Sequence, residues 1–151
     1  MQHTLRKAGL LDLKLLVPLF DLYRQFYQQP SDPQACAQFL QGRMEYNESE
    51  VFLITAEQDG QELGLGFCQL YPSFSSVRMK RLWILNDLYV REAYRNQGVG
   101  YQLIARAKQL VSDTGASGLM LETGITNKNA QEFYARQGFK ADTETLIYLM
   151  M

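Results

Sequence analysis

The chain has 151 residues, about the length of one domain, and a chain of this size buries roughly 70% of its unfolded surface. Its 46% hydrophobic and 21% charged residues exclude disordered and collagen-like classes. The net charge of -1 and the single histidine, His3, argue against a nucleic-acid or membrane partner and against histidine-based metal or nucleophile chemistry. We therefore expect one domain over residues 1–151 with no metal site.

The N-terminal segment lacks the basic start, long apolar run and cleavage site of a signal peptide, so we expect a cytoplasmic protein. Cys36 and Cys68 do not form a Cys-x-x-Cys pair, which predicts two buried free thiols.

The first 50 residues predict a short strand and two helices. Residues 2–8 form the strand, and Asp12 is placed to cap an amphipathic helix that Pro18 should kink or interrupt. A Pro-Ser-Asp-Pro stretch ends this helix, and a second helix with a proline in its first turn should end near Tyr46.

From residue 50 the apolar spacing changes to that of strands. Residues 51–58 and 62–71 flank an Asp-Gly turn and predict an antiparallel hairpin. Residues 72–78 are predicted as a loop. Residues 81–90 form the longest apolar strand and should lie at the centre of the sheet.

The last third predicts two helices and two strands. An apolar stripe from Val99 to Val111 indicates a helix that Gly115 caps, and residues 118–123 form a buried strand. A helix over 127–139 and a final strand over 144–150 follow. The element order predicts an α/β or α+β sheet with mixed strand directions, in which the strand-helix-strand unit is parallel and right-handed.

A glycine-containing loop, Arg95 to Gly100, lies between the long strand and its following helix. Glycines at such a junction expose backbone N–H groups that can converge on an anion, helped by the helix dipole. Arg95 can add a bidentate phosphate contact. The Gly-Lys-Ser/Thr ending of a P-loop is absent, and Leu103 stands where a dinucleotide-binding loop has its third glycine. A plain tight turn is the alternative to an anion site.

The Arg-x-x-Gly-x-Gly loop follows a Leu-Tyr-Val strand end and precedes an Asn-x-x-Ala-x-x-x-Tyr pattern that ends at Tyr134. This combination resembles the GNAT superfamily of acyl-CoA-dependent N-acetyltransferases over nearly the whole chain. Diamine N-acetyltransferase-like and histone-acetyltransferase-like members are the most similar in motif. The resemblance implies a mixed, mostly antiparallel sheet of six to seven strands flanked by about four helices, with one parallel pair splayed to bind acyl-CoA.

The resemblance also implies acetyl-CoA as co-substrate. Its pyrophosphate would lie on the glycine loop, its pantetheine arm along the exposed edge of the long strand, and the last helix would line the cofactor. A main-chain N–H of that strand would polarise the thioester carbonyl. The cofactor-binding residues implied are Leu88, Tyr89, Val90, Arg95, Asn96, Gln97, Gly98, Val99, Gly100, Asn127, Asn129, Ala130 and Tyr134.

Three residues are catalytic candidates. Tyr134 matches the tyrosine that protonates the CoA sulfur in this family, with a packing role as the alternative. Diamine acetyltransferases carry a Glu-Asp pair on the long strand, and here the pair is Asn86-Asp87, so Asn86 cannot accept a proton. Asp87, Glu122 or a water chain could take the amine proton. Asp87 could instead bind a substrate ammonium, and Glu122 could be a surface charge.

The family places the first helix and the hairpin loop beside the acceptor, and aromatic faces suit cationic amines. Core packing is the alternative for the two helix tyrosines, which lie four residues apart. The substrate-binding residues implied are Tyr23, Tyr27, Tyr71, Phe74 and Asp87.

The sequence therefore predicts transfer of acetyl from acetyl-CoA to a primary amine by direct attack in a ternary complex. The expected acceptor is a small-molecule amine such as a polyamine or other small cation. The alternatives are a protein lysine or N-terminal acetyltransferase and a non-catalytic acyl-CoA-binding regulatory module. A homodimer is possible, because the apolar last strand could pair across subunits.

Overall fold

The computed structural model describes residues 1–151 and contains one five-stranded sheet and four α-helices. The strands are β1 (Thr4–Lys7), β2 (Glu50–Gln58), β3 (Gln61–Ser75), β4 (Lys80–Val90) and β5 (Leu119–Met120), and the helices are α1 (Leu13–Phe26), α2 (Pro33–Glu45), α3 (Val99–Thr114) and α4 (Lys128–Arg136). The strands lie in the order β1-β2-β3-β4-β5. All neighbours are antiparallel except β4 and β5, which are parallel. The predicted mixed, mostly antiparallel fold is confirmed.

The two faces of the sheet carry separate apolar cores. Because side chains alternate along a strand, Leu53 of β2 packs with α1 and α2, whereas its neighbours Phe52 and Ile54 pack with α3. All three side chains are fully buried, and each such burial stabilises the fold by about 1.5–3 kcal/mol. The helices are therefore held on opposite faces of β2, β3 and β4.

A β-bulge in β4 reverses the alternation of its side chains. Gln69 is paired with Asp87, but the next residue of β3, Leu70, is paired with Leu85, so Asn86 is an extra residue without a partner. Leu85 and Leu88 consequently both pack on the α3 side. Asp87 faces the α1 side, opposite Gln69.

The parallel pair of strands is short. Only two residue pairs, Trp83 with Leu119 and Ile84 with Met120, join β4 to β5. Beyond them β4 continues to Val90 and is paired with β3 alone. The predicted splayed pair is therefore present, and a gap opens between β4 and the chain that follows β5.

The loop predicted over residues 72–78 is wrong for its first four residues. Residues 72–75 are not a loop, because β3 continues to Ser75 and pairs with the start of β4. Pro72 is tolerated because β2 pairs with β3 only as far as Leu70, so the missing N–H faces an open edge. Of the kink or interruption predicted at Pro18, the interruption does not occur. Helix α1 continues from Leu13 to Phe26, and buried leucines on both sides of the proline hold it to the sheet.

The predicted final strand is also wrong. Residues 144–150 have no regular secondary structure, and the side chains of Leu146 to Met151 are 64–107% exposed. A strand forms only against a neighbour, and β5 offers an edge of two residues. The sheet therefore has five strands rather than six or seven. No helix has both the length and the apolarity needed to cross a bilayer.

A buried carboxylate ties α1 to the start of α2. Asp21 is 7% exposed and accepts hydrogen bonds from Ser31 Oγ at 2.7 Å, the Asp32 backbone N–H at 2.8 Å and Gln25 Nε2 at 3.0 Å. Burial alone would raise the pKa of Asp21, but these hydrogen bonds outweigh it and hold the pKa below its ordinary value. The ionised carboxylate therefore stabilises the folded state.

We expect Asp21→Asn to lower the free energy of unfolding by about 2 kcal/mol at pH 7, since it removes hydrogen bonds to a charged group. The pKa of Asp21 is lower folded than unfolded, so its contribution is complete above the unfolded value of about 3.9 and is lost as the pH falls through the folded value. Urea denaturation of both proteins should show the difference shrinking below about pH 4. Asp113→Asn, at an exposed position on α3, is the control. A difference independent of pH would contradict this role.

Candidate active site

A cleft of about 740 Å³ occupies the gap where β4 and β5 separate. This volume lies within the range of small-molecule sites. One wall is the end of β4, the opposite wall is α4 with the segment after β5, and α1 and the N-terminus of α3 close the two ends. The lining residues with a predicted role are Tyr23, Tyr27, Leu88, Tyr89, Val90, Arg95, Asn96, Gly98, Val99, Gly100, Glu122, Asn127, Asn129, Ala130 and Tyr134.

The glycine loop leaves the N-terminus of α3 open. Asn96 and Gly98 both have left-handed backbones, with φ of 61° and 83°, which turn the chain sharply into the helix. Gly98 is the N-cap and has no side chain to satisfy the first N–H groups of this 16-residue helix. A Cβ at Gly100 would lie 3.3 Å from Phe133, so α3 and α4 approach closely here. The loop therefore presents unpaired donors and the positive end of a helix dipole to the cleft.

Arg95 lies beside this open helix end. Its Nε donates to the Val90 carbonyl oxygen at 2.9 Å, and its guanidinium lies 5.5 Å from the centre of the Tyr89 ring. These contacts hold the side chain over the end of β4 while its Nη groups remain without a protein partner. Arg95 can thus contact an anion on the loop.

The free edge of β4 forms the middle of the cleft. Leu88, Tyr89 and Val90 pair with Cys68, Phe67 and Gly66 of β3, and no strand pairs with them on the other side. Alternate main-chain N–H and C=O groups along this edge face the cleft. They can hydrogen-bond an extended amide-containing ligand as an added strand would.

Helix α4 brings Tyr134 to the cleft. The helix begins where the Asn127 side chain accepts a hydrogen bond from the Ala130 N–H at 3.2 Å. The Tyr134 ring is held edge-on against Phe133 and Phe139, with centroids 5.5 and 5.8 Å away. Burial, with smaller effects of Tyr27 and Cys68, raises the pKa of Tyr134 to about 12. The phenol therefore keeps its proton near neutral pH and can donate it.

Asp87 lies behind the wall of the cleft. It is 4% exposed and is not one of the lining residues. Gln69 Nε2 donates to Asp87 Oδ2 at 2.7 Å, and Asn86 Nδ2 donates to Oδ1 at 3.1 Å. Burial raises the pKa of Asp87 above its ordinary value, although hydrogen bonds from Gln69, Tyr23 and Asn86 oppose this. The carboxylate is thus a stronger base than an exposed aspartate.

Tyr23 lies between Asp87 and the cleft. Its hydroxyl donates a hydrogen bond to the Asn86 carbonyl oxygen at 3.4 Å, and Asp87 is the next residue along β4. The ring packs edge-on against Tyr27, with centroids 5.2 Å apart. Burial raises the pKa of Tyr23 far above its ordinary value, and the charge of Asp87 is the next largest cause of this shift. Tyr23 is therefore a neutral phenol that faces both the cleft and a buried carboxylate.

The structure brings most of the predicted residues together. Of the predicted cofactor residues, only Gln97 is outside the lining, where it is exposed and donates to the Ala93 carbonyl oxygen. Tyr71 and Phe74 also lie outside the lining, on β3, although the pKa of Tyr71 is raised to about 12 by burial and by the charge of Asp87.

Two features of the site were absent from the sequence prediction. Phe26 lines the cleft, and its spacing of three residues from Tyr23 on a helix was an available signal. Gln69 is fully buried beside Asp87, and a polar residue within an apolar strand was the signal for it.

The comparison with known families is decisive. Residues 16–139 match the profile of the Acetyltransferase (GNAT) family. The chain belongs to the GNAT family. It is therefore an acyl-CoA-dependent N-acetyltransferase.

Whole-length relatives agree with this family. An uncharacterized N-acetyltransferase of Bacillus subtilis (strain 168), YhfO, is 41% identical over 97% of this chain and 96% of that protein. A probable acetyltransferase of Haemophilus influenzae (strain ATCC 51907 / DSM 11121 / KW20 / Rd) is 33% identical over 94% of this chain and 93% of that protein. The crystal structure of a probable acetyltransferase is 42% identical, with a TM-score of 0.88 over 100% of this chain and 97% of that one.

We predict that Gly98→Asp abolishes CoA binding, because it places a negative side chain among the donors at the open end of α3. Isothermal titration with CoA measures the loss. Gly60→Asp is the matched control, since Gly60 has a similar φ of 77° in a turn and does not line the cleft. Normal CoA affinity in the Gly98 variant would overturn the assignment of the loop.

Proposed function

We propose that this GNAT protein, acting as one domain over residues 1–151, transfers acetyl from acetyl-CoA to a primary amine by direct attack. The supporting observation is that three features share one cleft: the open N-terminus of α3, the unpaired edge of β4 and the phenol of Tyr134. They match the three parts of the co-substrate. The helix end suits the pyrophosphate, the strand edge suits the pantetheine amides, and Tyr134 suits the thioester sulfur.

In this proposal the main chain and one tyrosine support the chemistry at the thioester. A main-chain N–H at the free edge of β4, within Leu88 to Val90, stabilises the oxyanion that forms when the amine attacks. The C–N bond forms, the C–S bond breaks, and Tyr134 gives its proton to the departing sulfur. No cysteine takes part as a nucleophile, since Cys36 and Cys68 are both buried and neither lines the cleft.

The α1 end of the cleft suits a small cationic amine. The aromatic rings of Tyr23, Phe26 and Tyr27 line this end of the cleft. The rings of Tyr23 and Tyr27 pack edge-on against each other. Aromatic faces attract ammonium groups, and the exposed carboxylate of Glu122 on the opposite wall adds negative charge. Glu122 is in this view a contact for the acceptor and a candidate proton acceptor. We infer that the acceptor is a polyamine or another small amine that carries positive charge.

Thiol release with a panel of amines tests the proposed function. The panel contains spermidine, free lysine, an uncharged primary amine alcohol and a lysine-containing peptide, each with acetyl-CoA. We expect the highest kcat/KM for a small cationic amine. Tight CoA binding without turnover on any amine would contradict the proposal and favour an acyl-CoA-binding module, and a preference for the peptide would favour a protein acetyltransferase.

Tyr134→Phe should reduce kcat by about 10²-fold, because it removes the proton donor to the sulfur. CoA affinity should stay within about twofold, since the ring packing is retained. The pKa of Tyr134 is raised to about 12. The tyrosine therefore stays protonated up to about pH 10, and its ionisation should leave the wild-type rate unchanged over that range. Tyr46→Phe, at an exposed position outside the cleft, is the control. Unchanged kcat in the Tyr134 variant would remove it from the donor role.

We also propose that residues 146–151 form a contact between two copies of the chain. Six consecutive apolar side chains there are 64–107% exposed, and such a patch is unfavourable in water unless it is covered. Light scattering should show a dimer for the wild type and a monomer for the double variant Ile147→Glu/Leu149→Glu. Lys140→Glu, in the same exposed tail, is the charge control. A monomeric wild-type protein would exclude this contact.

A further inference from the structure

We propose that Tyr23 passes the proton of the acceptor ammonium to Asp87, and that Gln69 is the residue that positions the Asp87 carboxylate for this step. This inference rests on the proposed function, because it concerns how that reaction loses a proton. It gives the Tyr23 hydroxyl a role in proton transfer, in addition to the role of the aromatic ring in binding the ammonium group.

Because Asp87 is buried, a proton from a ligand in the cleft can reach it only through another group. Asp87 does not line the cleft and is 4% exposed, whereas Tyr23 lines it. The Tyr23 hydroxyl donates to the Asn86 carbonyl oxygen at 3.4 Å, and Asp87, the next residue, faces the same helix α1 from which Tyr23 projects. A proton from a ligand in the cleft can therefore reach Asp87 through the phenolic oxygen.

The bulge in β4 creates this arrangement. If Asn86 occupied an ordinary paired position, Asp87 would lie two residues after Leu85 on the same face and point towards α3. With the bulge, Asp87 faces α1, where Tyr23 is located. The same register places Gln69 directly opposite Asp87 on β3.

Gln69 has an unused acceptor beside Asp87. Its Nε2 donates to the carboxylate at 2.7 Å, while its Oε1 is buried and has no hydrogen-bond partner. An unpaired buried acceptor is unfavourable, so it calls for an explanation. Rotation of the amide by half a turn would place Oε1 against a protonated Asp87, whose hydroxyl can donate. Gln69 can thus satisfy Asp87 in both protonation states.

No salt bridge offsets the charge of Asp87. The titratable groups that sense it are Tyr23 from α1 and Tyr71 and Cys68 from β3, and the pKa of each is raised by burial. All three are therefore neutral near pH 7. The buried carboxylate has two amides and a phenol as its polar neighbours, and no cation competes for the incoming proton.

The protons of the reaction balance in this scheme. An ammonium R–NH₃⁺ gives one proton to the Tyr23 oxygen as the Tyr23 hydroxyl gives its own proton to Asp87, so a neutral amine and a protonated Asp87 result. The amine nitrogen attacks the thioester carbon and loses a second proton, which restores Tyr134 through water after Tyr134 has protonated the sulfur. The third proton remains on the amide product. Asp87 returns its proton through Tyr23 to solvent.

Steady-state kinetics of variants, measured with acetyl-CoA and the best amine of the panel, test whether Tyr23 and Asp87 act one after the other in a single relay. Tyr23→Phe and Asp87→Asn should each reduce kcat/KM for the amine by about 10²-fold. Because the two groups act in one relay, the double variant should be no slower than about the slower single variant. Tyr46→Phe, remote from the cleft and exposed, is the control. Losses that multiply in the double variant, or a wild-type rate in Tyr23→Phe, would overturn the relay.

A second measurement is independent of turnover. Carbon-13 NMR of carboxyl groups, with Asp87 assigned through Asp87→Asn, gives its pKa in the free protein. We expect a value above the ordinary range that rises further in Tyr23→Phe and in Gln69→Leu, since each variant removes a donor to the carboxylate. An unchanged value in Tyr23→Phe would overturn the relay. Failure of every amine in the panel would contradict the proposed function, while this titration would still decide whether Tyr23 and Asp87 are coupled.

Discussion

The site depends on the place where β4 and β5 stop pairing. Two residue pairs join these parallel strands, and then β4 continues for six more residues while the chain after Met120 turns away. An unpaired strand edge normally has to be covered or satisfied by water. Here it becomes the wall of a cleft of about 740 Å³, so main-chain groups that the sheet does not use are available to a ligand. The helix that follows β4 then begins at one end of the same cleft.

Two irregularities of the backbone decide what faces the cleft. The left-handed residues Asn96 and Gly98 turn the chain so that the N-terminus of α3 stays open. The bulge at Asn86 changes which face of the sheet the next residues occupy, so Asp87 lies under α1 and Leu88 lies under α3. Each irregularity involves one or two residues. Together they give the cleft an open helix N-terminus at one end and a buried carboxylate beside its other end.

The sequence predicted those parts of the molecule that depend on local spacing and short motifs. Helices α1 to α4, the β2–β3 hairpin and the glycine loop follow from apolar periodicity and from turn signals such as the Asp-Gly pair between β2 and β3. Features that depend on a partner strand could not be predicted from the sequence. Pro72 lies in a strand because β2 ends before it, and residues 144–150 do not form one because β5 is too short to pair with them. The position of Asp87 could not be predicted, since a bulge is a property of two strands in register.

The scarcity of histidine becomes understandable once burial is considered. The only histidine, His3, contacts Gln102 and does not line the cleft, so the proposed proton transfers use groups whose ordinary pKa values lie far from 7. Burial moves these groups in useful directions: it raises the pKa of Tyr134 to about 12, which keeps a donor protonated, and it raises the pKa of Asp87, which strengthens an acceptor. In the proposed reaction, Tyr134 of α4 and the buried carboxylate of Asp87 on β4 therefore take the proton-donor and proton-acceptor roles that a histidine takes in other enzymes.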